Sequence, residues 1–163
     1  MAGETPTPID PLPASGVFSD GTHRFPVRVY FEDTDLSGVV YHANYLRYME
    51  RARSDMLRRA GIDQRGTHAS GAGYYAIADL SLRYRKPAVL EDDLVVVSRV
   101  CNVRAASCVI DQSIWRGPDL LTEGQVTAAF LSAAGRPQRQ PEPWITAFNR
   151  LASGEDPRLC PLP

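Results

Sequence analysis

Cysteine is scarce: Cys101, Cys108 and Cys160 are the only three in 163 residues. An odd number with no Cys-x-x-Cys spacing argues against both a disulfide framework and a structural zinc site. Cys101 and Cys108 fall where an expected hairpin would let them face each other, but free buried thiols in a reducing compartment are the simpler reading. The three histidines, His23, His42 and His68, have no metal-ligand spacing, so no metal is expected. A dominant charge is missing as well. Eighteen Lys and Arg against 19 Asp and Glu leave a net charge of -1, which gives no global basic field for nucleic acid or an anionic membrane. No apolar run approaches the roughly 20 residues of a membrane span. The N-terminal stretch MAGETPTPIDPLPASG lacks the basic start and apolar core of a secretory signal. Cytoplasm is therefore the expected location. The absence of a Gly-x-Ser-x-Gly elbow disfavours a Ser-His-Asp hydrolase.

What is present suits one globular domain. Hydrophobic residues are 44% and charged residues 23%, near the soluble average, and the length fits a single core. Residues 1–22 are rich in Pro, Thr, Ser and Gly and read as a flexible tail. Residues 23–137 read as the domain. Residues 138–163 read as a C-terminal extension, with a short helix expected over 145–152. Within the domain, FPVRVYF (25–31) alternates as a strand. From about Val40 to Ala60 the period becomes helical: Tyr45, Met49, Ala52, Met56 and Ala60 form one stripe, and Gly61 follows as a C-cap. Four strand-like segments come next, at 74–84, 92–103, 107–115 and 120–132, joined by short turn-like connections that predict antiparallel neighbours. The expectation is an α+β fold: a five-stranded antiparallel sheet wrapped around one long central helix, in the order strand, helix, four strands. A sheet covered by a single helix leaves an edge or face to bury against a copy, so a homodimer or homotetramer is expected.

The informative segment is VRVYFEDTDLSGVVYHANYLRYMERAR, 27–53. A strand ends, two carboxylates follow (Asp33 and Asp35), Gly38 opens the chain and a helix begins. Unpaired amides at a helix start, aided by the helix dipole, suit an oxygen that carries or gains negative charge. A nearby carboxylate can attack a carbonyl held there or deprotonate a water. A thioester is an apt substrate, because thiolate leaves without strong acid help. Taken alone, Asp33 reads as a turn-capping residue, and Glu50 as the partner of an Arg on its own helix face.

This segment resembles the signature of the YbgC-like branch of the 4-hydroxybenzoyl-CoA thioesterase superfamily. The resemblance rests on Asp33-Thr34-Asp35, Gly38-Val39-Val40-Tyr41-His42, Tyr45 and Glu50-Arg51-Ala52-Arg53. It continues more weakly through Tyr84, Pro87 and Asp92-Asp93-Leu94 to about Pro137. It implies a hot-dog fold, which the element order also suggests, and hydrolysis of acyl-CoA to a carboxylic acid and a free thiol. It implies Asp35 as general base or nucleophile, an oxyanion site along the backbone of Gly38 to His42, and help from the His42 side chain. Coenzyme A would be part of the substrate, and no cofactor is implied. Acyl carrier protein is the implied protein partner. Many relatives carry a second Tyr where this chain has Phe31, so a hydrogen bond supplied there in relatives is either absent or comes from elsewhere, with Tyr41 and Tyr45 as candidates. Val39, Val40 and Tyr45 are candidate substrate contacts. Tyr41, Tyr45, Tyr48 and Met49 could line an acyl pocket, although a Tyr/Met stripe is more often plain core. Arg83, Arg85, Lys86 and Arg104 are candidate contacts for the phosphates of the coenzyme A tail, against the plainer reading of solvated strand ends. The rival reading is a non-catalytic acyl-CoA-binding module. A dehydratase is disfavoured, because its hydration motif is absent.

Overall fold

The computed structural model describes residues 12–155. The elements are β1 (Val17–Ser19), β2 (Thr22–Arg28), α1 (His42–Arg59), α2 (Gln64–Ala69), β3 (Tyr74–Tyr84), β4 (Asp93–Val103), β5 (Ser107–Arg116), β6 (Asp119–Leu131) and α3 (Glu142–Ala152). Every pairing is antiparallel, and the strands lie in the order β1-β2-β4-β5-β6-β3.

The fold is α+β as expected, but the sheet has six strands, not five. The extra strand is β1, which hairpins onto β2 through Asp20 and Gly21, both at positive φ (50° and 69°). An Asp-Gly pair with this conformation matches the twist of a two-residue hairpin. The tail expected to run to residue 22 is therefore corrected from Val17 onward. Composition hid the signal, because the surrounding stretch is rich in Pro, Ser and Thr. Residues 1–11 and 156–163, Cys160 among them, lie outside the described residues.

β2 also ends earlier than the 25–31 alternation predicts. Val27 and Val29 point inward as expected, but Phe31 is 81% exposed. The cause is local. The Asp33 carboxylate accepts the Tyr30 amide at 2.8 Å, and this turns residues 31–33 into a single 3-10 turn.

α1 buries Tyr45, Tyr48, Met49, Ala52 and Met56 against the sheet. Each large side chain so removed from water contributes about 1.5–3 kcal/mol. The helix stops at a Schellman motif: the Ile62 amide reaches the Leu57 carbonyl and the Gly61 amide reaches that of Arg58, with Gly61 at φ 80°. α3 spans the expected C-terminal helix and starts earlier, at Glu142. Phe148 and Leu151 pack with Met56, Leu57, Val100 and Ile110, so this segment completes the core instead of merely extending the domain.

One expected neighbour relation is wrong. β3 pairs with β6, not with β4, and β4 lies between β2 and β5. Residues 85–92 are therefore a crossover, which the turn-like string KPAVLEDD does not distinguish from a hairpin. Cys101 sits at a bulge in β4 and is exposed, whereas Cys108 is buried. The two do not face each other.

Candidate active site

Between β2 and α1 the chain folds back on itself. The Asp35 amide donates to the Val39 carbonyl at 3.1 Å, and the Gly38 amide to the Asp35 carbonyl at 3.0 Å. This tight turn needs positive φ at its close, and Gly38 supplies it at 78°. A Cβ added there would meet nothing within 4 Å, so conformation and not space selects glycine.

The two aspartates divide their roles. Asp33 is buried; besides its carboxylate bond to Tyr30, its carbonyl accepts from the Tyr41 amide (2.8 Å) and from Asn44 Nδ2 (2.9 Å). It holds the loop together, as its turn position predicts. Asp35 is exposed. One of its oxygens accepts both the Ser37 amide at 2.8 Å and the Ser37 hydroxyl. These two bonds, with a weaker pull from His42, hold the Asp35 carboxyl below the usual carboxylate range. It is ionised at neutral pH, and its second oxygen has no partner among the described residues. Ser37 was not singled out from the sequence; an Asp-x-Ser spacing is its only trace.

The backbone around the helix start is less open than the sequence suggests. The amides of Gly38, Val40 and Tyr41 go to the carbonyls of Asp35, Ala88 and Asp33. Val39, His42 and Ala43 are left as amides with no acceptor among the described residues, the last two on the first turn of α1. The crossover at Ala88 thus uses one of the amides expected to be free. The Ala88 amide in turn donates to the Tyr45 hydroxyl at 2.9 Å. Tyr45, Tyr48 and Met49 are core, not an acyl pocket. Tyr41 is half exposed, and its ring lies 4.4 Å from that of His42. Tyr84, another residue that had no assigned role, donates its hydroxyl to the His42 carbonyl at 2.8 Å.

The four basic candidates do not form one cluster. Arg85 pairs with Glu123, and Lys86 with Asp119. Arg83 lies at the level of Glu123 on β6. Arg104 closes the β4–β5 turn, level with Ala129 and Ala76. It is therefore about 23 Å from Arg83 along the strand direction. A hollow of about 650 Å³ lies on the sheet face away from α1 and includes Arg83, Arg99 and Asp111. Its charges answer one another: Arg99 is the cross-strand neighbour of Asp111, and Gln125 donates to Asp111 at 2.7 Å. This is the pattern of a solvated sheet face.

An antiparallel sheet curled around one long helix, with an ionised carboxylate at that helix's entrance, is the hot-dog class of α+β protein. The family model of the thioesterase superfamily matches residues 37–123. The acyl-CoA thioesterase YbgC of Haemophilus influenzae is 35% identical over 133 residues, covering 81% of this chain and 98% of that one. The acyl-CoA thioester hydrolase YbgC of Escherichia coli O6:H1 is 34% identical over 129 residues, covering 78% and 96%. A probable thioesterase from Bartonella henselae superposes with a TM-score of 0.70 at 34% identity, over 74% of this chain and 99% of the other. A 1,4-dihydroxy-2-naphthoyl-CoA thioesterase from Synechocystis shares the fold at a TM-score of 0.73 and 22% identity, covering 81% and 96%. The chain belongs to the thioesterase superfamily.

Proposed function

We propose that this protein hydrolyses acyl-CoA thioesters, with the acyl carbonyl held at the start of α1 and Asp35 acting on it as nucleophile or general base. The observation that carries this reading is the ionised, exposed carboxylate of Asp35 beside a helix entrance with unspent amides at Val39 and His42. A carbonyl oxygen placed against those amides is polarised, and the tetrahedral oxyanion formed on attack is stabilised. One such donor is worth about 3 kcal/mol of barrier. The free oxygen of Asp35 then attacks the carbon or takes a proton from a water that does. The thiolate of coenzyme A departs, and water completes the carboxylic acid. No metal or cofactor enters these steps. His42, exposed beside Asp35, assists from the same turn. Arg83 and Arg104, neither of which has a carboxylate partner among the described residues, are the remaining candidates for the coenzyme A phosphates.

A second copy of the chain completes the site in this reading. Among the described residues the outer edge of β3 is unpaired, and Tyr74, Ile77, Leu80 and Tyr84 stand exposed along it. Such an edge invites a partner strand. Pairing there sets the second copy beside Tyr84 and His42. The working location is the cytoplasm, and acyl carrier protein is the alternative carrier of the acyl group.

The test is thiol release from a panel of acyl-CoAs. Asp35→Asn lowers turnover roughly a hundredfold to ten-thousandfold with an unchanged circular dichroism spectrum. Near-normal turnover in that variant refutes the role of Asp35. Tight acyl-CoA binding with no thiol release by the native chain would favour a binding module instead.

A further inference from the structure

Beyond the carbonyl site, α1 carries a second face. His42, Leu46, Glu50, Arg53 and Leu57 recur every three or four residues and so share one stripe. This stripe flanks the core stripe of Tyr45, Met49, Ala52 and Met56. It faces β3, as two contacts fix. Tyr84 is bonded to His42 at one end. At the other end Leu57 shares a cavity with Tyr75 and Ile77. α1 and β3 thus run side by side from the carbonyl site to this cavity.

The cavity holds about 100 Å³. Its apolar walls include Leu57, Ile77, Cys108, Ile110, Ala128 and Phe148. Cys108, Ala128 and Ile77 are direct cross-strand neighbours on β5, β6 and β3. The hollow exists because the middle residue of that row is alanine. At its rim, Arg53 donates to Gln112 at 2.6 Å and pairs with Glu50. Among the described residues the charges at the mouth are matched, and Gln64 is a further polar side chain of the lining. Burial pushes the Cys108 thiol up to about 12, which makes it a wall and not a nucleophile. Hollows with apolar walls of this kind accept small hydrocarbon groups.

We propose that this cavity receives the methyl end of a long-chain acyl group whose thioester carbonyl sits at the start of α1. The proposal rests on the function proposed above and adds the class of acyl chain. Its length follows from the helix. From His42 to Arg53 and Leu57 the axis advances about 16 and 22 Å at 1.5 Å per residue. An extended chain advances about 1.2 Å per bond, so about 13 to 18 bonds span that distance. A chain of eight carbons stops short of the rim; one of sixteen enters.

The test compares butanoyl-, octanoyl-, dodecanoyl- and hexadecanoyl-CoA. The native chain favours hexadecanoyl-CoA in kcat/KM. Ala128→Leu, which fills the hollow, lowers kcat/KM for hexadecanoyl-CoA about tenfold or more while leaving the butanoyl and octanoyl values within about twofold. Ala128→Val gives an intermediate loss and serves if the leucine variant does not fold. Equal effects at every length, or no effect at any, overturn the proposal while leaving the hydrolase reading intact. If no acyl-CoA is cleaved, the hydrolase reading fails, and the cavity is then judged by binding alone. Fluorescent cis-parinaric acid is held by the native chain, is displaced by hexadecanoate, and is lost in Ala128→Leu. Failure of the native chain to bind it overturns the proposal as well.

Discussion

The hydroxyl of Tyr84 is bonded to the main-chain carbonyl of His42, 2.8 Å away, across 42 residues of sequence. It joins the last residue of β3 to the first residue of α1, next to the amides that are left unspent. Tyr84→Phe removes one neutral hydrogen bond at a half-exposed position, worth about 1 kcal/mol. Thermal unfolding should move little, while kcat/KM for acyl-CoA should fall several-fold. An unchanged kcat/KM would mean that the clasp does not orient the helix start.

Ser37 sets the acidity of Asp35. Its hydroxyl and amide bonds favour the ionised carboxylate, with His42 helping, so the Asp35 pKa lies below its ordinary value of 3.8. Activity that requires the carboxylate is then retained down to that depressed value and lost only below it. Ser37→Ala removes the larger of the two bonds, so the acidic limb of the kcat/KM profile moves upward, toward the ordinary carboxylate range. A limb that does not move separates Asp35 from the rate.

Gly38 is fixed by its conformation, since no neighbour crowds it. Gly38→Asn, which tolerates positive φ, should keep most of the stability and activity. Gly38→Val should cost about 1–2 kcal/mol, read as a lower unfolding midpoint, and should lower kcat with it. Equal behaviour of the two variants would contradict the left-handed requirement.

Acid sensitivity is centred on His23 and Asp55. Burial pushes the His23 pKa down, opposed by its bond to Asp55, 2.9 Å away. Asp55 is raised by burial, but bonds from Gly16, Arg58, His23 and Ser15 outweigh this and leave it below 3.8. Both folded values are depressed, so both contributions are complete above the unfolded values. The His23 share is lost as pH falls below 6.5, and the Asp55 share as it falls below 3.8. Asp55→Ala strands four donors and should cost about 3–5 kcal/mol at neutral pH. His23→Phe should flatten the decline between pH 6.5 and the lower range. Urea unfolding at a series of pH values reads both effects.

Much of this was legible in the order of residues. The α1 stripe is visible because burial on a helix recurs with its own period, and β4 and β5 alternate for the same reason at period two, whereas β3 is exposed along most of its length and does not. The structural part played by Asp33 also showed, because a carboxylate at a turn position caps backbone amides; position alone did not tell Asp35 apart from it. The partner of β3 did not show. That depends on where residues 85–92 travel, and a short stretch with charged ends around Pro87, Ala88, Val89 and Leu90 looks the same in a hairpin or a crossover. The fate of the Val40 amide was hidden for the same reason, since its acceptor is Ala88. Tyr84 and Ser37 gave no periodic signal; each matters through a single bond to a distant or nearby group.

The Val40–Ala88 bond has a consequence for how this protein matures. The loop bearing Asp35 is stitched to a segment that emerges from the ribosome roughly fifty residues later, and β3 must first find β6, later still. A fragment that carries the whole signature from Val27 to Arg53 therefore has the reactive side chain but not its setting. Competence should come in one step with global folding, with the bonded amides of Val40 and Tyr41 exchanging slowly and the exposed amides of residues 36–38 exchanging fast.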